Sequence, residues 1–312
     1  MERGAGRWRK RTPTMTTRIT RDTLDGLREL ARARRGWISD LVWSPNGQAL
    51  AVASAGGITL HAADTLQALA ALEGHGGPVK SLAVSRDGSR LASASADTTA
   101  RLWRLREGGA FTEFRGHADS VDAVALSPDD ARLATGSADG TVRLWDAATG
   151  ALLNILAGHA AEVTAVSFCG VGRLVSGSWD KTGIIWDIEA GQALATLPHD
   201  DWVRALTLSP DEAALATTSK DGGVRLWAAD GRLRWRVQAH FGGADAAAFT
   251  PDGALLATSG RDRTIRFWDA ATGAAAGALP GHDRPVLALA FSPDGTRLAS
   301  GGGDNTVRVW GL

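Results

Sequence analysis

The chain of 312 residues carries 34 Lys and Arg against 34 Asp and Glu, is 44% hydrophobic and 22% charged, and has one cysteine, Cys169. One cysteine excludes an internal disulfide framework and a cysteine-built metal site, and without a basic neighbour Cys169 reads as a small apolar filler at a strand end. No apolar run approaches the roughly 18 residues of a membrane span, and no apolar segment follows the basic N-terminus as a secretory signal requires, so a cytoplasmic protein without a membrane span is expected.

In chain order, residues 1–21 come first, with Arg3, Arg7, Arg9, Lys10, Arg11, Arg18 and Arg21 against Glu2 alone. Clustered Arg gains affinity for nucleic acid or an anionic membrane by releasing counterions. A short charge run reads first as a disordered extension, or as residues upstream of a start at Met15, so nucleic acid is not the expected partner. A short stretch, GLRELA at 26–31, follows. From residue 36 the chain becomes a repeat array, with units at about 36–73, 78–115, 120–157, 162–198, 202–238, 243–280 and 285–312.

The last six units carry a Trp six residues after an Asp: Asp97 and Trp103, Asp139 and Trp145, Asp180 and Trp186, Asp221 and Trp227, Asp262 and Trp268, Asp304 and Trp310. Successive Trp residues are 42, 41, 41, 41 and 42 positions apart, and His75, His117, His159, His199, His240 and His282 stand about 22 residues before each Asp. Such a period implies one small supersecondary unit, copied along the chain and unable to bury its apolar face alone. In the third unit, residues 121–126 alternate, SPDD turns the chain, ARLATGS and TVRLW continue, and residues 151–156 make a fourth strand. The same turn recurs as SPNG, SRDG, SPDE, TPDG and SPDG, where Pro presets one φ and Asp or Gly supports the next residue. In the first unit the markers are lost. Stepping back 42 residues places Ala33 at the His position, Ala55 at the Asp position and His61 at the Trp position, so this unit should keep its strands and lack polar cross-links.

The Gly-His pairs at 74–75, 116–117, 158–159 and 281–282, with the Trp-Asp pairs at 145–146, 186–187 and 268–269, resemble the WD-repeat β-propeller family. The resemblance covers about nine-tenths of the chain, and six copies in phase are highly specific. The closeness of the units to one another, as in TVRLWDAATGALL and TIRFWDAATGAAAG, is similar to stand-alone bacterial members. The resemblance implies an all-β, seven-bladed propeller of four-stranded antiparallel blades. Only two residues follow Trp310, so it also implies that residues 26–31 complete the last blade and close the ring, leaving one short outer edge per blade.

Ser95, Ser137, Ser178 and Ser219 stand in phase with the His, Asp and Trp of their units, and Ser, His and Asp also make a nucleophilic triad. An active site needs one such set with an exposed nucleophile; a set repeated around a ring is a joint. The resemblance implies a hydrogen-bonded chain from the Trp to the loop bearing the His, which rigidifies each blade. Gly260 and Gly302 occupy the Ser position in blades six and seven, which should therefore loosen most easily. No phosphate-binding Gly loop precedes a helix, and the His residues lie about forty residues apart, so neither cofactor nor metal is expected. The enzymatic alternative is a channel-mouth hydrolase or lactonase holding a divalent cation. It requires converging carboxylates, whereas the Asp residues fall mainly at turns and in the repeated set.

In the family the His and Asp loops surround one mouth of the channel. The residue before each Asp and the three after each His project there, and blades four to seven offer Trp179, Trp202, Lys220, Phe241, Arg261 and Arg284 beside Asp200, Asp201 and Asp283. An aromatic and Arg cluster with a charged rim has the composition of a binding hot spot; the plainer reading is that Trp179 and Trp202 cover the ends of their strands. The expected function is a monomeric, non-enzymatic platform for a protein or peptide partner.

Overall fold

A computed structural model describes residues 17–280 and 282–312, so the expected disorder of residues 1–16 falls outside the described residues. Seven four-stranded antiparallel sheets follow one another as the blades of a closed propeller. Blade three shows the pattern: Val121–Leu126 lines the channel, Arg132–Ser137 and Thr141–Asp146 follow, and Leu152–Ala157 forms the outer edge. Because the strands are antiparallel, the loop entering each inner strand and the loop between the second and third strands lie on the same face. That face carries the His and Asp residues. The SPDG-type turns lie on the other, where the Ser127 hydroxyl donates to Asp129 and accepts the Arg132 N–H.

The core lies between blades rather than within one. Ala123, Val142, Leu144 and Leu156 of blade three pack against Val163, Val166, Phe168 and Trp186 of blade four. Second strands are covered on both faces, which explains why ARLATGS-like segments use small residues; a Cβ on Gly136 would stand 2.7 Å from Val163 Cγ1.

The ring closes as the resemblance implies. Arg28–Arg34 pairs antiparallel with Thr306–Gly311, from Arg28 opposite Gly311 to Arg34 opposite Thr306. This strand begins later than 26–31 because Arg21–Gly26 forms a short 3-10 helix. Residues 17–21, read from their charge as part of the tail, are docked instead: the Ile19 N–H donates to the Gly295 carbonyl at 2.8 Å. Ile19 and Leu24 are buried against Leu255, Phe267 and Leu279 of blade six and Leu298 and Trp310 of blade seven. Two apolar side chains decide the position of this segment, which its Arg content obscures.

Blade one also departs from expectation. Ile38 faces Ser54 as Val79 faces Ser95, and Leu50 faces His61 as Leu91 faces Trp103. His61 therefore does take the Trp position, but the intervening loop is one residue shorter, so the offset is 41 before it and 42 after it. Arg34, not Ala33, matches His75, and Ala55 matches Ala96 rather than Asp97. Polar linkage is retained in another form: His61 Nδ1 lies 3.1 Å from the Leu66 carbonyl, and Nε2 accepts from Thr59 and Arg35. Burial, then Arg35, holds this imidazole below its ordinary pKa.

Candidate functional site

In blade two the Trp103 indole N–H donates to Ser93 Oγ at 2.8 Å, Ser93 Oγ lies 2.7 Å from His75 Nε2, and His75 Nδ1 lies 2.8 Å from Asp97 Oδ2. Burial holds His75 below its usual pKa against the pull of Asp97. Burial alone would raise Asp97, but the Thr99 hydroxyl and His75 outweigh it and bring the carboxyl to about 2. At neutral pH the imidazole is thus neutral and the carboxylate charged. That assigns every proton: Nδ1–H donates to Asp97, Nε2 accepts the Ser93 hydroxyl, and Ser93 accepts the indole.

The hydroxyl in this chain lies two residues before the one expected. Ser93, Thr135, Ser176, Thr217, Thr258 and Ser300 bridge His to Trp in blades two to seven. Ser95, Ser137 and Ser178 instead accept the N–H of Asp97, Asp139 and Asp180 and donate to carbonyls of the His-bearing loop, while Ser219 donates to Asp221. Both positions lie on one face of the strand, but only the first comes within hydrogen-bond reach of the indole, which belongs to the Trp paired two residues earlier on that strand. Blades six and seven are consequently complete despite Gly260 and Gly302: His240 bonds Asp262 and Thr258, and His282 bonds Asp304 and Ser300. The bridging hydroxyls are buried, with no room for a substrate.

Blade five is the incomplete one. His199 Nδ1 donates to the Leu197 carbonyl at 2.9 Å, and Asp221 bonds Ser219 and the Gly223 N–H. In the other linked blades a Thr two residues after the Asp, such as Thr99 or Thr141, donates its hydroxyl to the carboxylate and holds it toward the His. Gly223 stands at that position and supplies no hydroxyl. Burial, then the Arg225 charge, lowers His199 to about 4.

The channel, about 270 Å³, contains Asp40, Lys80, Asp122, Arg204 and Asp245, so three carboxylates lie away from the turns and the repeated set. Asp40 accepts the N–H groups of Leu41 and Leu82, Asp122 accepts from Ser120, and Asp245 accepts from Arg204. Burial raises Asp40 to about 6; burial and Asp122 raise Glu162 to about 7. Among the described residues no three His, Cys, Asp or Glu side chains gather closely enough to hold a metal ion.

On the His and Asp face the two classes of projecting residue are neighbours in every blade. The residue before each Asp donates its N–H to the carbonyl entering the inner strand: Ala96 to Pro78, Trp179 to Glu162, Lys220 to Trp202, Arg261 to Gly243. This arrangement brings three of the expected residues together across two blades. Trp179 and Trp202 stack with centroids 4.4 Å apart and planes 12° from parallel, and Lys220 Nζ lies 3.8 Å above the Trp202 ring. Asp201 accepts the Trp202 N–H. Phe241, 88% exposed, stands in blade six, where Arg261 reaches Asp245 at 3.6 Å. Arg284 lies apart in blade seven. Beside it over Gly303 is Trp37, 53% exposed, which the sequence reading missed. Its signal was the residue directly before the first inner strand, in WISDLVW, equivalent to Trp202.

Six segments, residues 66–104, 109–146, 150–187, 191–228, 231–269 and 274–311, match the family of the WD domain, G-beta repeat. Each begins near the outer strand of one blade and ends on the third strand of the next, so the sequence repeat is offset from the structural blade. Over 89 residues, 28% of this chain, the sequence is 35% identical to the small ribosomal subunit protein RACK1y of Oryza sativa subsp. japonica, and the match covers 26% of that protein. Among the described residues no helix is long and apolar enough to cross a membrane.

Proposed function

Since the chain belongs to the WD domain, G-beta repeat family, we propose that it is a non-enzymatic scaffold that binds a protein or peptide on the face bearing the His and Asp loops. The observation that supports this reading most directly is the Trp179, Trp202 and Lys220 stack. Large rigid aromatic surfaces lose little conformational entropy on binding, and Lys220 holds Trp202 in place through a cation–π contact. Phe241, Arg261, Arg284 and Trp37 extend the face around the channel mouth. Capture of partners from the native host by Trp179→Ala and Trp202→Ala variants tests the reading. Loss of capture at an unchanged melting temperature is expected; capture equal to wild type by both variants sinks it.

The name of the plant relative makes a ribonucleoprotein assembly the first partner to examine, through the 89 matched residues. A bacterial origin would suit the close similarity of the repeats, and monomeric, cytoplasmic operation belongs to the same proposal.

A further inference from the structure

Blade five differs from its sisters on its outer flank as well as at its His. Arg225, on the third strand, has a side chain only 6% exposed and stands directly opposite Arg236 on the outer strand. Like charges facing each other across a ladder repel. In blade two the same register places Arg101 opposite Glu113, which pair at 2.9 Å. In blade seven Arg308 faces Arg32, and Glu29 within the same strand contacts both. Blade five has no such carboxylate on its outer strand. Arg225 is met instead by Asp200, from a surface loop, whose side chain is 74% exposed, and more distantly by Asp221 at 3.9 Å. Gly223 lacks the side chain present in the other linked blades, and a cavity of about 300 Å³ opens between Asp200, Asp221, Gly223, Arg225, Arg236 and Gln238.

We propose that this cavity is a carboxylate-binding site in which Arg225 and Arg236 receive an acidic side chain of a bound peptide in place of Asp200. A guanidinium fork matches a carboxylate geometrically. Charge decides the valence: with Asp200 displaced, two guanidinium groups face Asp221 alone, so one further negative charge balances the site. Asp200 acts as a built-in competitor. It lies two residues from Trp202, so a peptide crossing the aromatic stack comes within reach of the pocket; in this respect the inference rests on the peptide-binding reading above.

The test is fluorescence anisotropy with a labelled hexaglutamate amide, against hexaglutamine as the uncharged control. Asp200→Asn removes the competitor and should tighten hexaglutamate binding about fivefold, the upper range for an exposed ion pair. Arg236→Glu recreates the pairing of blade two and should abolish binding at an unchanged or higher melting temperature. Equal affinity of wild type and Asp200→Asn, no saturable binding by Asp200→Asn, or retained binding by Arg236→Glu overturns the proposal. Failure here leaves the aromatic reading standing, because that reading is measured by partner capture.

Discussion

His199 and Asp221 occupy the positions that bond in five sister blades, yet they do not bond to each other. His75, His117, His159, His240 and His282 lie 2.8 to 3.0 Å from their Asp partners, whereas His199 turns to the Leu197 carbonyl. Gly223, standing where the sisters have Thr, accounts for the difference.

Gly223→Thr should therefore restore the joint. A Cβ at Gly223 would lie 2.9 Å from Asp221 Oδ1 and 3.2 Å from an Arg225 nitrogen, both at the ends of flexible side chains, so Asp221 has to move and His199 is its available partner. The gained hydrogen bond is worth about 1 kcal/mol. The sign with pH follows from His199, whose folded pKa of about 4 lies below the ordinary 6.5. Above 6.5 the shift costs nothing; as pH falls from 6.5 towards 4 the unfolded chain takes up the proton first and the fold loses stability. The variant should raise the His199 pKa and reduce this acid loss. An NMR titration of His199 checks it, and a pKa still near 4 in the variant counts against the account.

Ser93→Ala and Ser95→Ala should separate the two hydroxyls of blade two. Ser93→Ala leaves the buried Trp103 indole N–H without an acceptor and His75 Nε2 without a donor, a cost of about 1–3 kcal/mol. Ser95→Ala removes the acceptor of the Asp97 N–H and leaves the indole bonded. Stability alone does not distinguish them, so the measurement is indole hydrogen exchange. Faster exchange of Trp103 in Ser93→Ala only is expected; the same acceleration in both would refute the assignment.

Stepwise truncation should distinguish docking from closure. A chain starting at residue 28 loses Ile19 and Leu24, buried apolar side chains each worth roughly 1.5–3 kcal/mol, and should melt lower while still closed. A chain starting at residue 35 also loses the strand that covers Thr306–Gly311 and leaves the edge of that otherwise buried strand unpaired. It should aggregate or unfold. Thermal melts of the two side by side decide the matter, and equal curves would remove the closing role of Arg28–Arg34.

Much of the frame is legible in the residues because it is local. The spacing of Asp and Trp counts six units, period-two patterning adds the first, and Pro, Asp and Gly mark the turns. One further departure was also readable: Gly223 breaks a run of Thr at that position. The location of the joint was not. Ser93 and Ser95 lie on one face of their strand, so alternation cannot choose between them; the pairing of Leu91 with Trp103 puts the indole one step from Ser93 and two from Ser95.

The sequence by itself determined the number of units, their strand order and the chemistry of their turns, since these follow from residues within a repeat and from the spacing at which it recurs. Tertiary structure alone decided what meets across repeats. Trp179 and Trp202 belong to different blades and stack only because blades four and five stand side by side, and Arg225 lacks a strand partner only because the register sets it against Arg236. A repeat specifies its own fold through local spacing, whereas a binding surface depends on distances between repeats that only ring closure sets.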